Sequence, residues 1–183
     1  MTSPPPQRLA RNIELKARLD SFAQARQVAE RLATDALGVE LQIDTYFAGA
    51  EGRLKLRQRE GRTDQLVWYA RPNATDAKAS DYRLVEVADA AALKEALAAA
   101  YGILIVVEKR REIFLHHNVR IHLDQVAGLG DFLEFEAVLG TGHDDADGRA
   151  ALARLSQEFA IEPQRLVAGS YSDLLLVERA SRG

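Results

Sequence analysis

Polar and apolar residues alternate with period two over positions 12–19. Asn12, Glu14, Lys16 and Arg18 fall on one side, and Ile13, Leu15, Ala17 and Leu19 on the other. That spacing predicts a β-strand. Ser21 with Gln24 reads as a capping box, and Phe22, Ala25, Val28, Ala29 and Leu32 recur at helical spacing, so a helix is expected that stops near Gly38. Four short β-prone runs follow at 39–47, 52–59, 66–71 and 82–87, separated by Gly49, Gly61 and a loop over 72–80. The alanine-rich stretch 89–101 predicts a second helix, ending at Gly102. A second β group is expected at 103–107, running into Glu108-Lys109-Arg110-Arg111, then at 113–115, 119–126 and, after a turn at Gly128-Leu129-Gly130, at 132–139. Residues 146–159 predict a third helix and 171–177 a short last one.

Connections this short make the sheet mostly antiparallel, and about eight strands with three helices place the chain in the α+β class. The alternation sorts charge onto one face in several strands: Glu14 and Lys16; Arg53, Lys55, Arg57 and Arg59; Arg120, His122 and Asp124; Glu134 and Glu136. The opposite faces are apolar and are the available partners for the amphipathic helices. Two arrangements satisfy this pattern. The charged faces look at water on an open sheet, or the twisted sheet curls and closes so that they line a polar tunnel.

Composition narrows the class. The chain has 183 residues, 47% hydrophobic and 28% charged, which suits one domain with one core. No apolar run approaches the roughly 20 residues of a membrane-spanning helix, and a net charge of -3 does not describe a polycation that holds nucleic acid by charge alone. The chain has no cysteine, which excludes disulfides, thiolate nucleophiles, iron–sulfur clusters and cysteine zinc sites. Residues 1–8, with Pro4-Pro5-Pro6 and no apolar stretch, are expected to be a disordered tail rather than a secretory leader, which fits a cytoplasmic protein. The domain is expected over 9–178, with 179–183 a C-terminal tail.

The chemistry lies in the charged faces. Arg53, Lys55 and Arg57 form a row of cations about 7 Å apart along one strand face, and Glu134 and Glu136 form an acidic pair on another. Such a cation row suits the repeated oxyanions of a polyphosphate, and clustered carboxylates suit Mg²⁺ or Mn²⁺. There is no Gly-x-x-x-x-Gly-Lys-Ser/Thr loop and no His-Glu-x-x-His, so side chains rather than a phosphate-binding loop would hold the ligand. His116 and His117, adjacent on an expected strand, would point to opposite faces, whereas His122 shares the face of Arg120 and Asp124.

Taken in order, five segments resemble the motifs of the CYTH family: Asn12-Ile13-Glu14-Leu15-Lys16, Gly52-Arg53-Leu54-Lys55-Leu56-Arg57, Glu108-Lys109-Arg110-Arg111, Val119-Arg120-Ile121-His122-Leu123-Asp124 and Leu129-Gly130-Asp131-Phe132-Leu133-Glu134-Phe135-Glu136. The family comprises class IV adenylyl cyclases and inorganic and thiamine triphosphatases, and Ser170-Tyr171-Ser172-Asp173-Leu174-Leu175 most resembles the cyclase branch. The resemblance implies a closed eight-stranded antiparallel barrel, the triphosphate tunnel, with flanking helices. It places Lys16, Arg53, Lys55, Arg57, Arg71, Lys109, Arg111 and Arg120 on substrate phosphates, and Glu14, Glu134 and Glu136 on a divalent metal, Mg²⁺ or Mn²⁺. Lys16, Lys109, Arg111 and Asp124 would carry the catalysis, with Asp124 a metal ligand, an outer acceptor or the organiser of Arg120. The expected partner is a nucleoside triphosphate or other triphosphate, with no membrane or nucleic acid, and the cyclase branch suggests a homodimer.

One departure stands out. The family signature opens Glu-x-Glu-x-Lys, and Asn12 stands where the first glutamate belongs. An amide still offers a carbonyl oxygen but no charge and no basic group. Three readings follow: conversion of ATP to cyclic AMP and pyrophosphate, hydrolysis of inorganic or thiamine triphosphate, and a non-catalytic triphosphate sensor. A cyclase also needs a nucleoside pocket, for which Tyr46, Phe47, Trp68 and Tyr69 are the candidate aromatic wall.

Overall fold

The computed structural model describes residues 9–49, 51–140 and 142–182, so the expected tail at 1–8 lies outside the described residues. The strands are β1 (Ala10–Arg18), β2 (Asp35–Phe47), β3 (Arg53–Arg59), β4 (Asp64–Ala70), β5 (Lys78–Val87), β6 (Ile103–His116), β7 (Val119–Val126) and β8 (Gly130–Val138). The helices are α1 (Phe22–Leu32), α2 (Ala90–Tyr101), α3 (Asp145–Glu158) and α4 (Tyr171–Arg182). The strands run in the order β1-β5-β4-β3-β2-β6-β7-β8, each antiparallel to its neighbours, and β8 pairs back onto β1 to close the barrel. Closure decides between the two arrangements that the alternation allows, because it gives every strand an inside and an outside.

The apolar faces point outward. Ile13, Leu15, Ile121, Leu123, Leu133 and Phe135 pack beneath Ala25 and Ala29 of α1 and Leu152 and Leu155 of α3, forming the larger outer core. Ala90, Leu93 and Leu97 of α2 cover Phe47 and Leu56 in a smaller one. A third cluster lies inside the barrel, where Ile105, Val107, Val126 and Phe132 surround Tyr171 at the start of α4 and close one end of the tunnel. Hydrophobicity does not orient every strand. In β2 the apolar Val39, Leu41 and Ile43 are 49%, 52% and 41% exposed, while Glu40, Gln42 and Asp44 between them are buried. Pairing with β3 and β6 sets that orientation, since a one-residue slip would turn every polar side chain of β2 out of the tunnel.

Several boundaries differ from those expected. α1 ends at Leu32, not near Gly38; the helical apolar spacing stops at Leu32, and Gly38 instead sits inside β2 with φ of +84°, at a bulge in the pairing with β6. Ser21 accepts from the Gln24 backbone N–H, which is one half of the expected capping box. The loop expected over 72–80 is shortened because Lys78, Ala79 and Ser80 pair with Glu14, Ile13 and Asn12 and so open β5. β6 is one strand of 14 residues that carries the charged run at 108–111 through its middle. Residues 179–182, expected in a tail, form the last turn of α4. No helix among the described residues is long and apolar enough to cross a membrane.

α3 meets β1 through Gly148, where a built Cβ would lie 2.8 Å from Ile13 Cγ1 and 3.1 Å from Leu139 Cδ2. Gly148→Ala therefore forces α3 off the barrel, and the gain of about 0.5–1 kcal/mol from helix propensity does not offset an overpacking cost of about 1–3 kcal/mol. Urea unfolding is expected to show a net loss of about 1–2 kcal/mol; an unchanged midpoint would mean that this contact is not tight.

Candidate active site

The tunnel opens onto about 690 Å³ of space, part of it continuous with solvent. Seven cations reach it from the strand faces: Lys16 from β1, Lys55 and Arg57 from β3, Arg71 just past β4, Lys109 and Arg111 from β6 and Arg120 from β7. Three carboxylates share the wall, Glu14 of β1 and Glu134 and Glu136 of β8. The barrel register places Glu14 opposite Glu136 and Lys16 opposite Glu134, so the acidic face of β8 meets the first strand directly.

Two buried aspartates hold the cations in place. Asp44 of β2 accepts from Lys109 Nζ at 2.6 Å, Lys55 Nζ at 2.9 Å and Arg57 Nε at 2.9 Å. Burial alone would raise its pKa, but the Arg57, Lys109 and Lys55 charges overcome this and keep it well below the usual carboxylate range. Asp124 of β7 accepts from Arg111 Nε at 2.7 Å and Nη2 at 2.5 Å, and from the Tyr171 hydroxyl at 2.7 Å. It lies fully buried behind Arg111 rather than on the tunnel wall. It thus orients Arg111 instead of the expected Arg120, whose Nη1 sits 3.5 Å from Glu136 Oε2.

The remaining ion pairs partition the wall. Glu134 accepts from Arg111 Nη2 at 2.6 Å and lies 3.3 Å from Lys16 Nζ. Against the upward push of burial, Lys16 and Arg111 hold its pKa well below the ordinary value. Glu14 Oε2 sits 3.0 Å from Arg71 Nε, yet burial and the neighbouring Glu134 leave its pKa raised. Burial lowers both lysines at the centre: Lys16 falls below its ordinary value, and Lys109 is pushed to about 7, with the Lys55, Arg57 and Arg111 charges adding to burial against the pull of Asp44. Cations are thus in excess where they are least hydrated, and the deficit is one that a polyanion would fill.

Most residues expected at the site line the tunnel; Asp124 stands behind the wall, and Arg53 lies away from it. Arg53 lies at a mouth, donating to Asp173 Oδ2 at 2.7 Å and Asn73 Oδ1 at 2.8 Å, away from the cavity wall formed by Lys55 and Arg57. Of the four candidate aromatics, Tyr46 and Tyr69 line the tunnel. Phe47 packs under α2, and Trp68 donates to the Glu51 carbonyl outside. Two contributors were missed: Asp44, signalled by the alternation Glu40, Gln42, Asp44, Tyr46 within an apolar-looking run, and Tyr82 of β5, which carried no local signal. Tyr171, at the start of α4, belonged to the closing motif but was given no place at the site. Tyr171 places its ring 3.8 Å from Lys16 Nζ. His117 falls in the turn after β6 with φ of +54°, so its ring touches His116 edge-on at 4.6 Å, where opposite faces were expected.

A donor set for a divalent ion is present. Oxygen atoms of Glu134 and Glu136 and a ring nitrogen of His122 lie within 4.8 Å of one another. His122 Nδ1 is buried and has no hydrogen-bond partner, and neither has the Oδ1 of Asn12 at the head of β1. Unsatisfied buried acceptors beside paired carboxylates are chemically suited to a cation.

A family model, the CYTH domain, matches residues 10–171. The chain belongs to the CYTH family. CYTH tunnel enzymes act on triphosphates with a divalent metal. No functionally curated protein matches the sequence. Among solved structures, the PH1012 protein of Pyrococcus horikoshii OT3 superposes with a TM-score of 0.80 at 23% identity, over 89% of this chain and 98% of that one. A "putative adenylate cyclase" of Vibrio parahaemolyticus gives 0.73 at 19% identity, over 90% and 97%. The "putative adenylyl cyclase HpAC1" of Hippeastrum, described as having a dominant triphosphatase activity, gives 0.62 at 16% identity, over 92% and 96%. At these identities the likeness is one of fold, which the closed barrel of this CYTH chain shares.

Asp44 is the test of this electrostatic scheme. Asp44→Asn leaves Lys55, Arg57 and Lys109 without their common counter-charge, and a broken buried pair of this kind costs about 3–5 kcal/mol. Thermal melting should show a large loss that added inorganic triphosphate partly restores, with a larger ligand-induced shift than in the wild type. Equal shifts in the two proteins would refute the idea that Asp44 offsets the charge of the tunnel's cations.

Proposed function

We propose that the chain is a divalent-metal-dependent enzyme of the class IV adenylyl cyclase type, converting ATP to cyclic AMP and pyrophosphate. The observation that carries this reading is the composition of the tunnel wall. Beside the cations stand Val67, Tyr69, Tyr82 and Leu84 on β4 and β5, an apolar and aromatic patch that a bare inorganic triphosphate would leave unused and a nucleoside would cover. In this reaction the ribose 3′ oxygen attacks the α-phosphorus, its proton departs, and the bond from the α-phosphorus to the bridging oxygen breaks to release pyrophosphate. Lys16, Lys55, Arg57, Lys109, Arg111 and Arg120 line the same cavity and would meet the phosphates there. Charge developing on the leaving pyrophosphate is met by groups that Asp44 and Asp124 already hold in position, so little reorganisation is required. A Mg²⁺ or Mn²⁺ ion on Glu134 and Glu136, with Glu14 close by, would neutralise phosphate charge.

Hydrolysis is the second reading, because water could replace the ribose hydroxyl at a terminal phosphorus within the same cation rows, and the Hippeastrum structure of this fold is described as a dominant triphosphatase. The deciding experiment incubates the protein with Mg²⁺ or Mn²⁺ and, separately, ATP, inorganic triphosphate and thiamine triphosphate. Cyclic AMP with equal pyrophosphate is the expected result. Orthophosphate without cyclic AMP moves the assignment to a triphosphatase. Intact substrates, one of which raises the melting temperature, would make the tunnel a sensor and Asn12 its distinguishing residue.

The proton balance gives a further prediction. Lys109, at about 7, is largely neutral in the free protein above that pH, and a bound polyanion raises it. Between the free and bound values, binding must draw in a proton, and affinity falls as pH rises. Calorimetry at pH 8 in buffers of different ionisation heat should show net proton uptake, lost in Lys109→Met; equal heats in all buffers would refute this.

A further inference from the structure

His122 projects from β7 toward β8 and is buried. Its Nδ1 lies 3.8 Å from Glu134 Oε2 and 3.9 Å from Glu136 Oε1, and it has no hydrogen-bond partner. These gaps are too long for hydrogen bonds, whose upper limit is about 3.2 Å. They are also not filled from the other flank, where Ile113 of β6 is the register neighbour of His122. A buried nitrogen left without a hydrogen bond costs about 1–3 kcal/mol. A cation between the three atoms removes that defect. Donors bound at about 2.1 Å stand roughly 3 Å apart in adjacent positions and roughly 4.2 Å apart in opposite ones; the two separations from His122 fall between those values, and the three donor atoms lie within 4.8 Å of one another.

The other oxygens are already engaged. Arg111 holds Glu134 Oε2 at 2.6 Å, Lys16 lies near Oε1, and Arg120 approaches Glu136 Oε2. Glu136 Oε1 faces the imidazole at 3.9 Å. We propose that His122 binds the tunnel's divalent ion through Nδ1 beside Glu136 and Glu134, and that this nitrogen selects Mn²⁺, or a similar first-row transition ion, over Mg²⁺. The inference rests on the reading of the tunnel as a metal site and adds to it the ligand that sets the metal. Mg²⁺ demands oxygen donors and near-ideal octahedral geometry, whereas imidazole suits the transition ions. Asn12, whose Oδ1 is also unpartnered on the same interior face of the barrel as Glu14, is consistent with a donor set that is poorer in charge than the family pattern.

Pulsed electron paramagnetic resonance of the full chain loaded with MnCl₂ reads the bond directly. The spectrum of the wild type should show ¹⁴N coupling of a bound imidazole, alone and with the bis-methylene analogue of inorganic triphosphate, which carries no nitrogen and is not hydrolysed. His122→Gln should abolish that coupling and weaken Mn²⁺ binding about tenfold or more, while Mg²⁺ binding, followed by competition, changes much less. Bound Mn²⁺ without nitrogen coupling overturns the role of His122 but leaves the metal tunnel intact. Failure to bind Mn²⁺ with or without the analogue overturns both. The wild-type spectrum decides the matter even if His122→Gln does not fold.

Discussion

Closing a sheet whose polar faces point inward puts many charges into a narrow, poorly hydrated space, and the rest of the structure accommodates that constraint. Each ion removed from water carries a penalty of several kcal/mol unless it is met by a partner in good geometry. Asp44 and Asp124 are the main answers: one carboxylate gathers Lys55, Arg57 and Lys109, and the other grips Arg111 through two nitrogens and takes the Tyr171 hydroxyl. Neither aspartate lines the cavity, so both organise cations from behind and leave the cationic surface facing the open space. The same arrangement that makes burial tolerable fixes the donors before a ligand arrives, which is the condition for electrostatic catalysis.

The fold separates stability from chemistry. Apolar packing lies outside the barrel, beneath α1, α2 and α3, and does not depend on the tunnel being filled. Inside, the one substantial apolar cluster gathers around Tyr171 and closes an end. The start of α4 is tied to both regions, through Tyr171 to Asp124 and through Asp173 to Arg53 at the mouth. The closing motif therefore works as a plug whose position is coupled to the cations on either side of it.

Much of this was legible in the chain. The period-two alternation of Asn12, Glu14, Lys16 and of Arg120, His122, Asp124 marks single strand faces, and the apolar faces opposite them identify the sides that the helices cover. Asp44 escaped because β2 is apolar on its outer side, so that the run containing Val39, Leu41 and Ile43 reads as buried strand when those residues are in fact exposed. Tyr171 was legible only as part of the closing motif, because nothing near it in sequence hints that a helix start would enter the barrel. Arg53 was expected beside Lys55 and Arg57 on the strength of spacing alone, but the distance along the strand carries it past the cavity to Asp173.

Local pattern, which depends only on residues two to four apart, determined the strands, most of the helices, the face on which each charge lies and the order of motifs that marks the family. The pairing of charges was decided by tertiary structure alone. Closure of β8 on β1 sets Glu134 against Lys16, the register of β6 and β7 sets Arg111 against Asp124, and β2 between β3 and β6 brings Asp44 to three cations from two strands. Coulomb energies in a dry cavity turn on ångström separations between residues tens of positions apart, and those separations exist only once the barrel has closed.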